Sequence, residues 1–348
     1  MTIKSTRATM RDVAKLAGVS PKTVSNVLTG AAVVREQTRV QVEAAMLELD
    51  FVPNLSARGL RNGRTGVIGF ALPDLTTAFS ASITHAVVEA AHERGLVIQL
   101  EETAFEPTRE YDLAYRARTH QIDGLILNPV RLEDSVVDQV EHLPPVVLIG
   151  EVEQHRSDRV YIDSRRAGKV STEHLIGQGA ERIVVLGGTE PNMLRKQATL
   201  GKRLQGHLDA LAEAGLDTSA DLQIDVEWNI SGGAKAMRAI LDRRVEFDAV
   251  LCFTDSIAMG ALHVLHENGH SVPSDVLVSA FDDVEHAEFT SPPLSTISFD
   301  HHDYVNAALD LLTSRVADRS LPARAVEIPF ELVIRNSTGA RPRGVRGG

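Results

Sequence analysis

From Val67 onward the sequence alternates short apolar segments with amphipathic ones, and this alternation limits the possible folds more than any other feature. The apolar segments read VIGFALP, LVIQLE, GLILNPV, PVVLIG, RIVVLGG, AVLCFTD and VLVSAFD. The segments between them, such as 80–93, 165–177 and 256–267, carry apolar residues at helical spacing. Such alternation is typical of parallel β-sheets covered by helices on both faces. About 280 residues of this pattern predict one large or two smaller α/β domains.

Ahead of this region, the stretch TMRDVAKLAGVSPKTVSNVL has the pattern of two short helices joined by a tight turn. Thr9 can cap the first helix, with Asp12 as its reciprocal acidic partner three residues later. Apolar residues then follow at helical spacing, namely Val13, Leu16 and Ala17. Gly18 is expected to end the helix, because glycine tolerates the left-handed backbone that a helix exit needs.

The second helix is predicted to begin at Pro21, with Ser20 as its N-cap, and to run to about Leu28. Val24 and Leu28 are expected to face inward. The residues left to point outward, where no acidic group opposes DNA, are Pro21, Lys22, Thr23, Ser25 and Asn26. An ordinary capped helical hairpin is the alternative, but a third amphipathic helix is predicted at 36–49, and three helices can enclose a core. The pattern therefore predicts a helix-turn-helix whose second helix reads DNA.

Three segments together resemble one known family: DVAKLAGVSPKTVSNVLTG, TRVQVEAAMLELDFVPNLSARGLRNGRT and VIGFALPDL. They are similar to the lactose-repressor/galactose-repressor (LacI/GalR) family of bacterial transcription factors, and the resemblance covers nearly the whole chain. It implies two doubly wound α/β subdomains, as in periplasmic sugar-binding proteins, with the chain crossing between them near Ser164, Ile297 and Glu327. It also implies a homodimer, since the C-terminal residues contain no leucine heptad for further association.

A short basic segment, FVPNLSARGLRNGRTG, links the two regions. Asn54 can cap a helix that runs to about Arg61, but about eight residues are too few for a stable isolated helix, and off DNA a flexible linker is expected. The resemblance implies a hinge helix that folds on the operator and inserts Leu60 into the minor groove. The residues predicted to contact DNA are Thr9, Ser20, Pro21, Lys22, Thr23, Ser25, Asn26, Thr38, Asn54, Ala57, Arg58, Leu60 and Arg61.

The net charge of −11 conceals an asymmetry. Residues 1–65 carry ten Lys and Arg against five Asp and Glu, a net charge of +5, whereas the remainder carries −16. The basic part is the part expected to approach phosphate groups. The single cysteine, Cys252, lies in an apolar segment and fits a reducing compartment. No apolar run is long enough to span a membrane and no signal-peptide pattern is seen, so the sequence predicts a cytoplasmic protein without membrane contact.

Candidate effector-binding residues lie near the carboxyl ends of the predicted strands, where open parallel sheets bind small molecules. They are Asp74, Phe79, Asp163, Arg203, Trp228, Thr254, Asp282 and Phe299. Each has an ordinary structural explanation, because an aspartate after a strand often caps a helix and a lone tryptophan is usually core. The resemblance implies that most of these positions line the effector cleft of the family.

A sugar suits such a set, because it presents an apolar C–H face and a rim of hydroxyl groups. Trp228 and Phe79 would stack on the ring, and Asp163 and Asp282 would flank Arg203 and accept hydrogen bonds from hydroxyls. Two carboxylates would also repel a phosphorylated ligand. The prediction is a sugar or sugar derivative, and the alternatives left open are a nucleobase, which also stacks on aromatic rings, and a sugar phosphate.

No pattern indicates catalysis, a cofactor or a metal site. HENGH, at 266–270, matches the HExxH motif of zinc proteases, but Gly269 and Pro273 indicate that the helix ends there, so the two histidines would not share a helical face. Motifs for a nucleophile, a phosphate loop or a dinucleotide are not found. The competing interpretations are a sugar-binding transport protein, which would need an export signal and no helix-turn-helix, and an enzyme built on a similar core.

The predicted domains are an all-α headpiece at 1–52, a hinge helix and linker at 53–65, an effector-binding and dimerisation core at 66–340, and a disordered tail at 341–348. Within the core, the first parallel α/β subdomain would comprise about 66–164 and 297–327, and the second about 165–296 and 328–340. The predicted function is a DNA-binding transcriptional repressor controlled by a small molecule between the subdomains. A coupling of about 1 to 3 kcal/mol between the sites suffices, since it changes affinity roughly 5- to 150-fold.

Overall fold

A computed structural model describes residues 8–29, 32–51, 64–119, 121–129, 145–151, 156–187 and 198–339. The chain forms two compact units, the first ending at Thr65 and the second beginning at Gly66. Most of the segment predicted as hinge helix and linker, and the whole of the predicted tail at 341–348, lie outside the described residues.

The first unit is a small bundle of three helices: α1 (Met10–Leu16), α2 (Pro21–Thr29) and α3 (Glu36–Glu48). Their buried residues form one cluster, which consists of Val13, Ala14, Val24, Val42 and Ala45. The helix boundaries follow from local signals in the sequence, and the predicted three-helix headpiece is confirmed.

The second unit contains twelve strands and seven α-helices among the described residues. The strands are β1 (Val67–Leu72), β2 (Val97–Glu102), β3 (Gly124–Leu127), β4 (Val146–Ile149), β5 (Asp158–Tyr161), β6 (Ile183–Leu186), β7 (Gln223–Ile224), β8 (Ala249–Cys252), β9 (Leu277–Phe281), β10 (Ser295–Phe299), β11 (Ala325–Glu327) and β12 (Phe330–Val333). The helices are α4 (Ala78–Glu93), α5 (Pro107–Arg118), α6 (Ser164–Gly177), α7 (Ala198–Ala214), α8 (Ile230–Asp242), α9 (Asp255–Glu267) and α10 (His301–Ala317).

These strands build two six-stranded sheets, in the orders β11-β5-β4-β3-β1-β2 and β12-β10-β9-β8-β6-β7. Every neighbouring pair is parallel except β10 and β12, which run antiparallel with Ile297 opposite Leu332. Helices cover both faces of each sheet, and the prediction of two doubly wound α/β layers is confirmed. The antiparallel edge strand was not foreseen.

The strand residues alternate between the two covered faces, as the pleat requires. In β3, Leu125 and Leu127 pack against α5, whereas Ile126 packs in the cluster formed with α4 and α10. In β8, Leu251 packs with α6 and α7, whereas Val250 packs with α8 and α9. Because both faces are covered, the central strands consist of consecutive apolar residues rather than alternating apolar and polar ones.

The chain passes from the first sheet to the second between β5 and β6, returns between β10 and β11, and passes again between β11 and β12. The sequence interpretation assigned 297–327 to the first subdomain, and the structure corrects the start of this range. Ile297 lies within β10, which pairs with β9 and β12 of the second sheet, so the return follows Phe299. Backbone pairing, which the sequence STISF of β10 does not reveal, decides the position of this crossing.

Candidate functional site

The turn between α1 and α2 has the geometry that its sequence predicts. Thr9 and Asp12 form a reciprocal capping box at the start of α1, with the Thr9 backbone N–H donating to Asp12 Oδ2 at 2.8 Å. Gly18 follows the end of α1 and has a φ of 66°, in the left-handed region. Ser20 Oγ accepts a hydrogen bond from the backbone N–H of Thr23 at 3.1 Å. Local hydrogen bonds therefore set the angle at which α2 leaves α1.

Along α2, the exposed side chains are those near its N-terminus. Pro21 and Lys22 are exposed, and Thr23 and Asn26 are half-buried. Ser25 contradicts the prediction, since it is only 7% exposed and packs inside the headpiece. It follows Val24, which is fully buried, and lies on the flank of α2 that the other helices cover. Ser25 is therefore removed from the residues expected to face DNA.

The other residues predicted to lie in the headpiece core or to contact DNA have different outcomes. Leu16, expected in the buried stripe of α1, is 45% exposed, and its place in the core is taken by Ala14. Thr38, on α3, is half-buried, and Thr9 is exposed. The predicted DNA contacts Asn54, Ala57, Arg58, Leu60 and Arg61 lie outside the described residues.

The second unit contains a cavity of about 970 Å³. Its wall is formed where strands of both sheets end at their carboxyl termini: Asp74 follows β1, Asn128 follows β3, Glu151 follows β4, Thr254 follows β8 and Asp282 follows β9. This is the position at which open parallel sheets bind ligands. The volume falls in the range of small-molecule sites, roughly 300–1,000 Å³.

Seven of the eight predicted effector-binding residues line this cavity, namely Asp74, Phe79, Arg203, Trp228, Thr254, Asp282 and Phe299. Asp163 does not. Its carboxylate accepts the backbone N–H of Arg166 at 2.9 Å and caps α6. Asp163 is therefore a helix cap, which was the structural explanation that the sequence analysis gave beside effector binding. Its neighbours Ile162 and Ser164 line the cavity instead.

Arg203 and Asp282 form a buried charge pair in the wall. Arg203 Nη2 lies 3.6 Å from Asp282 Oδ1, and both side chains are 6% exposed. The guanidinium also donates to the backbone carbonyl of Phe253 and lies 4.3 Å from the ring centroid of Phe281. Burial raises the pKa of Asp282 to about 7, although the positive charge of Arg203 opposes this shift.

A second carboxylate in the wall of the cavity belongs to Glu151, which the sequence analysis did not name. It is 2% exposed, it accepts a hydrogen bond from the backbone N–H of Ser164, and its Oε2 lies 3.5 Å from Lys202 Nζ. Burial raises the pKa of Glu151, and the charges of Lys202 and Arg203 act in the opposite direction. Glu151 directly follows the apolar segment PVVLIG, so the strand-end criterion could have found it.

Two other polar side chains in the wall, Asp74 and Thr254, already form hydrogen bonds within the protein. Asp74 Oδ1 accepts from the backbone N–H and the hydroxyl of Thr76, both at 2.7 Å, and Thr254 Oγ1 caps α9 by accepting the N–H of Ile257 at 3.2 Å. One buried atom of the charge pair, Arg203 Nε, has no hydrogen-bond partner within the described parts of the chain.

Aromatic rings also line the cavity. Phe79 and Phe299 have ring centroids 6.3 Å apart, and Phe299 lies 5.3 Å from the ring of Tyr304. The half-buried ring of Trp228 lies in the wall 5.9 Å from the Arg203 guanidinium. The cavity therefore combines flat apolar surfaces with buried charges. Sequence reasoning did not find Tyr304, because it follows β10, which was not among the strands predicted from the sequence.

The HENGH motif does not build a metal site. Helix α9 ends at Glu267, with Asn268 as its C-cap, as the sequence predicted. Among the residues that the structure describes, no group of three or more His, Cys, Asp or Glu side chains is placed to hold a metal ion. No helix within the described ranges is both long and apolar enough to cross a membrane.

Comparison with known proteins gives the same division of the chain. A family model described as bacterial regulatory proteins, lacI family, matches residues 9–54, and a periplasmic binding protein-like domain matches residues 172–338. The HTH-type transcriptional repressor PurR of Photobacterium profundum is 30% identical over 333 residues, which cover 95% of this chain and 98% of that protein.

Two solved structures are similar over nearly the whole chain. The Lac repressor dimer bound to operator and the anti-inducer ONPF has a TM-score of 0.80 and 25% identity, covering 96% of this chain and 99% of that one. The transcriptional regulator CelR in complex with cellobiose has a TM-score of 0.70 and 28% identity, covering 95% and 100%. A helix-turn-helix headpiece and a cavity-bearing core of this kind define a DNA-binding transcriptional regulator. The chain belongs to the LacI family.

Proposed function

We propose that this protein is a cytoplasmic, homodimeric repressor whose affinity for operator DNA changes when a neutral sugar or sugar derivative binds in the cavity of the second unit. The observation that carries the sugar assignment is the pairing of aromatic surfaces with two buried carboxylates around one arginine. Trp228 and Phe79 offer flat apolar faces, and Glu151 and Asp282 flank Arg203.

The carboxylates favour a neutral ligand that bears hydroxyl groups. Carboxylate oxygens accept hydrogen bonds from hydroxyls and repel phosphate oxygens, whereas the guanidinium donates to a hydroxyl or ring oxygen. In this proposal Glu151 replaces Asp163 as the second carboxylate. The two hydrogen-bond acceptors beside the Arg203 donor are then Glu151 and Asp282.

The similar structures support this class of effector. CelR was solved with cellobiose, a neutral disaccharide, and the Lac repressor was solved with ONPF. A cavity of about 970 Å³ is large for a single hexose and accommodates a disaccharide or a glycoside. A nucleobase, which stacks on the same rings, is the competing ligand that the test must separate.

On the DNA side, the exposed part of α2 supports direct reading of bases in the major groove. We expect Lys22 to contact guanine and Asn26 to contact adenine, while Thr23 contacts phosphate. Leu60 and its neighbours would form the hinge helix on the operator. A dimer then binds two half-sites of a pseudo-palindromic operator.

A thermal-shift screen of the full-length protein against neutral sugars, sugar phosphates and nucleobases tests the effector class. A ligand at 100 times its dissociation constant should add about 2.7 kcal/mol to the free energy of unfolding. Trp228→Ala and Asp282→Ala should abolish the shift given by a neutral sugar, while operator binding without effector persists. Asp163→Asn is the matched control and should retain the sugar response. Stabilisation only by a phosphorylated compound or a purine would contradict the proposed effector.

A further inference from the structure

The turn that carries Asp282 has an unusual backbone for its sequence. Strand β9 ends at Phe281, and the next two residues, Asp282 and Asp283, have φ values of 107° and 48°. Both lie in the left-handed region, which is costly for residues other than glycine and is retained only when the surroundings enforce it. The wall of the cavity therefore includes a strained turn, and neighbouring groups must hold it.

Three backbone N–H groups of this turn are bound by two other elements. The Asp282 N–H donates to the Ile297 carbonyl at 2.9 Å, and the Asp283 N–H donates to Thr296 Oγ1 at 3.4 Å. The Val284 N–H donates to Asp255 Oδ2 at 2.9 Å. The hydroxyl of Thr296 in turn donates to Asp255 Oδ1 at 2.7 Å. Asp255 thus uses one oxygen for the turn and the other for the threonine that supports it.

Neither Asp255 nor Thr296 lines the cavity, although Thr254 and Ser256 on either side of Asp255 do. Asp255 is 1% exposed and Thr296 is fully buried. Asp255 is the first residue of α9, so its position is set by that helix, and Thr296 belongs to β10. A first-turn aspartate ordinarily interacts with the start of its own helix. Here its two oxygens bind a different loop and a different strand.

We propose that Asp255 and Thr296 are positioning residues of the effector cavity: they hold the Asp282–Asp283 turn in the left-handed conformation that presents the Asp282 carboxylate to Arg203. The proposal rests on the function proposed above, since it concerns how the effector cavity keeps its shape. Thr296 lies three residues before Phe299, after which the chain returns to the first sheet.

The single tryptophan of the chain makes this testable without any sugar. Trp228 lies in the cavity wall, 5.9 Å from the guanidinium of Arg203, so its fluorescence and its quenching by acrylamide report on the pair. Thr296→Val keeps the shape of the side chain and removes both hydrogen bonds of the hydroxyl. It should change the quenching of Trp228 and accelerate hydrogen exchange at the Asp283 amide about fivefold, the factor expected for one lost hydrogen bond.

Thr313→Val is the matched control. Thr313 lies on α10, and its hydroxyl donates to the Leu309 carbonyl at 2.9 Å and the Asp310 carbonyl at 3.2 Å, so the change also removes two hydrogen bonds while keeping the shape of the side chain. Thr313 does not line the cavity, and the variant should leave both the Trp228 quenching and the Asp283 exchange rate at their wild-type values.

A rescue variant separates positioning from general stability. Glycine adopts a positive φ without strain, so Asp283→Gly should remove the need for support by Thr296. Asp283→Gly also removes the ion pair between Asp283 and Arg335, whose atoms lie 2.8 Å apart, so the double variant Thr296→Val/Asp283→Gly is compared with Asp283→Gly alone and should show the same quenching of Trp228. The proposal is overturned if Thr296→Val leaves the quenching unchanged, if Thr313→Val alters it equally, or if Thr296→Val changes the quenching as much with glycine at 283 as with aspartate. Since no sugar is used, failure of the sugar assignment would leave these results unaffected.

Discussion

Asp282 should make the stability of the second unit depend on pH. Burial raises its pKa to about 7, with Arg203 acting against the shift, whereas the unfolded chain has an ordinary aspartate with a pKa of about 3.9. At a pH between these two pKa values, Asp282 is protonated in the folded protein and ionised in the unfolded chain. The stability from the protonated carboxyl is therefore fully present below about pH 4 and is lost as the pH rises through about 7.

Replacing Asp282 with asparagine keeps the shape and removes the titration of this carboxyl group, and it also removes a negative charge that helps to raise the pKa of the buried Asp255. One pKa unit corresponds to about 1.4 kcal/mol, so between pH 5 and pH 7 the wild-type protein should lose roughly 2 kcal/mol of unfolding free energy relative to Asp282→Asn. Asp282 is 4% exposed, so solvent screening reduces this figure little. The protonated carboxyl group of Asp282 and the amide of asparagine are both neutral, so exchanging one for the other beside Arg203 adds only an offset that does not depend on pH.

The assay is urea unfolding at pH 5 and pH 7, followed by the fluorescence of Trp228. The difference in unfolding free energy between wild type and Asp282→Asn should shift by roughly 2 kcal/mol in favour of the variant as the pH rises. Asp163→Asn is the control, since asparagine caps a helix as well as aspartate does and the change should cost little. Parallel pH profiles for wild type and Asp282→Asn would refute the reasoning.

Three further predictions concern DNA binding and folding. Lys22→Ala should cost about 1 to 3 kcal/mol of operator binding and relax one position per half-site, and binding-site selection that returns an unchanged motif would contradict it. Leu60→Ala should reduce operator affinity and DNA bending together while the second unit stays folded, and a gel-shift and bending assay showing an unchanged complex would exclude Leu60 from the mechanism. Asp158→Ala should lower the unfolding free energy by about 3 to 5 kcal/mol, because it leaves the largely buried guanidinium of Arg315, which lies 3.0 Å from the carboxylate, without this counter-charge. Thermal unfolding measures this loss. A decrease of less than about 1 kcal/mol would show that the ion pair of Asp158 in β5 with Arg315 in α10 does not hold these two elements together.

The local features of the fold could be predicted from the sequence because they depend on neighbouring residues. The Thr9 and Asp12 capping box, the positive φ of Gly18 and the cap at Ser20 each involve groups within three residues of one another. The apolar strands were equally clear, since burial on both faces favours consecutive apolar residues in them. The end of α9 at Glu267 followed from the glycine and proline after it.

Features that depend on packing between distant segments could not be predicted. Ser25 is buried because of how the other helices cross α2, and a single helix does not reveal this. Ile297 belongs to the second sheet because its backbone pairs with β9 and with β12. Neither strand adjoins β10 in the sequence, and the chain passes through the first sheet between β10 and β12.

The effector site shows both kinds of information. Sequence alone determined that polar residues after parallel strands would gather at one place, because the carboxyl ends of such strands share an edge. It did not determine which carboxylate would join Arg203 and Asp282 there. Asp163 and Glu151 both follow strands of the first sheet, but the Asp163 carboxylate is bound to the first turn of α6, and Glu151 is held toward the cavity by the Ser164 N–H and Lys202. That choice depends on where α6 begins relative to β4 and on the approach of α7, which only the tertiary structure provides.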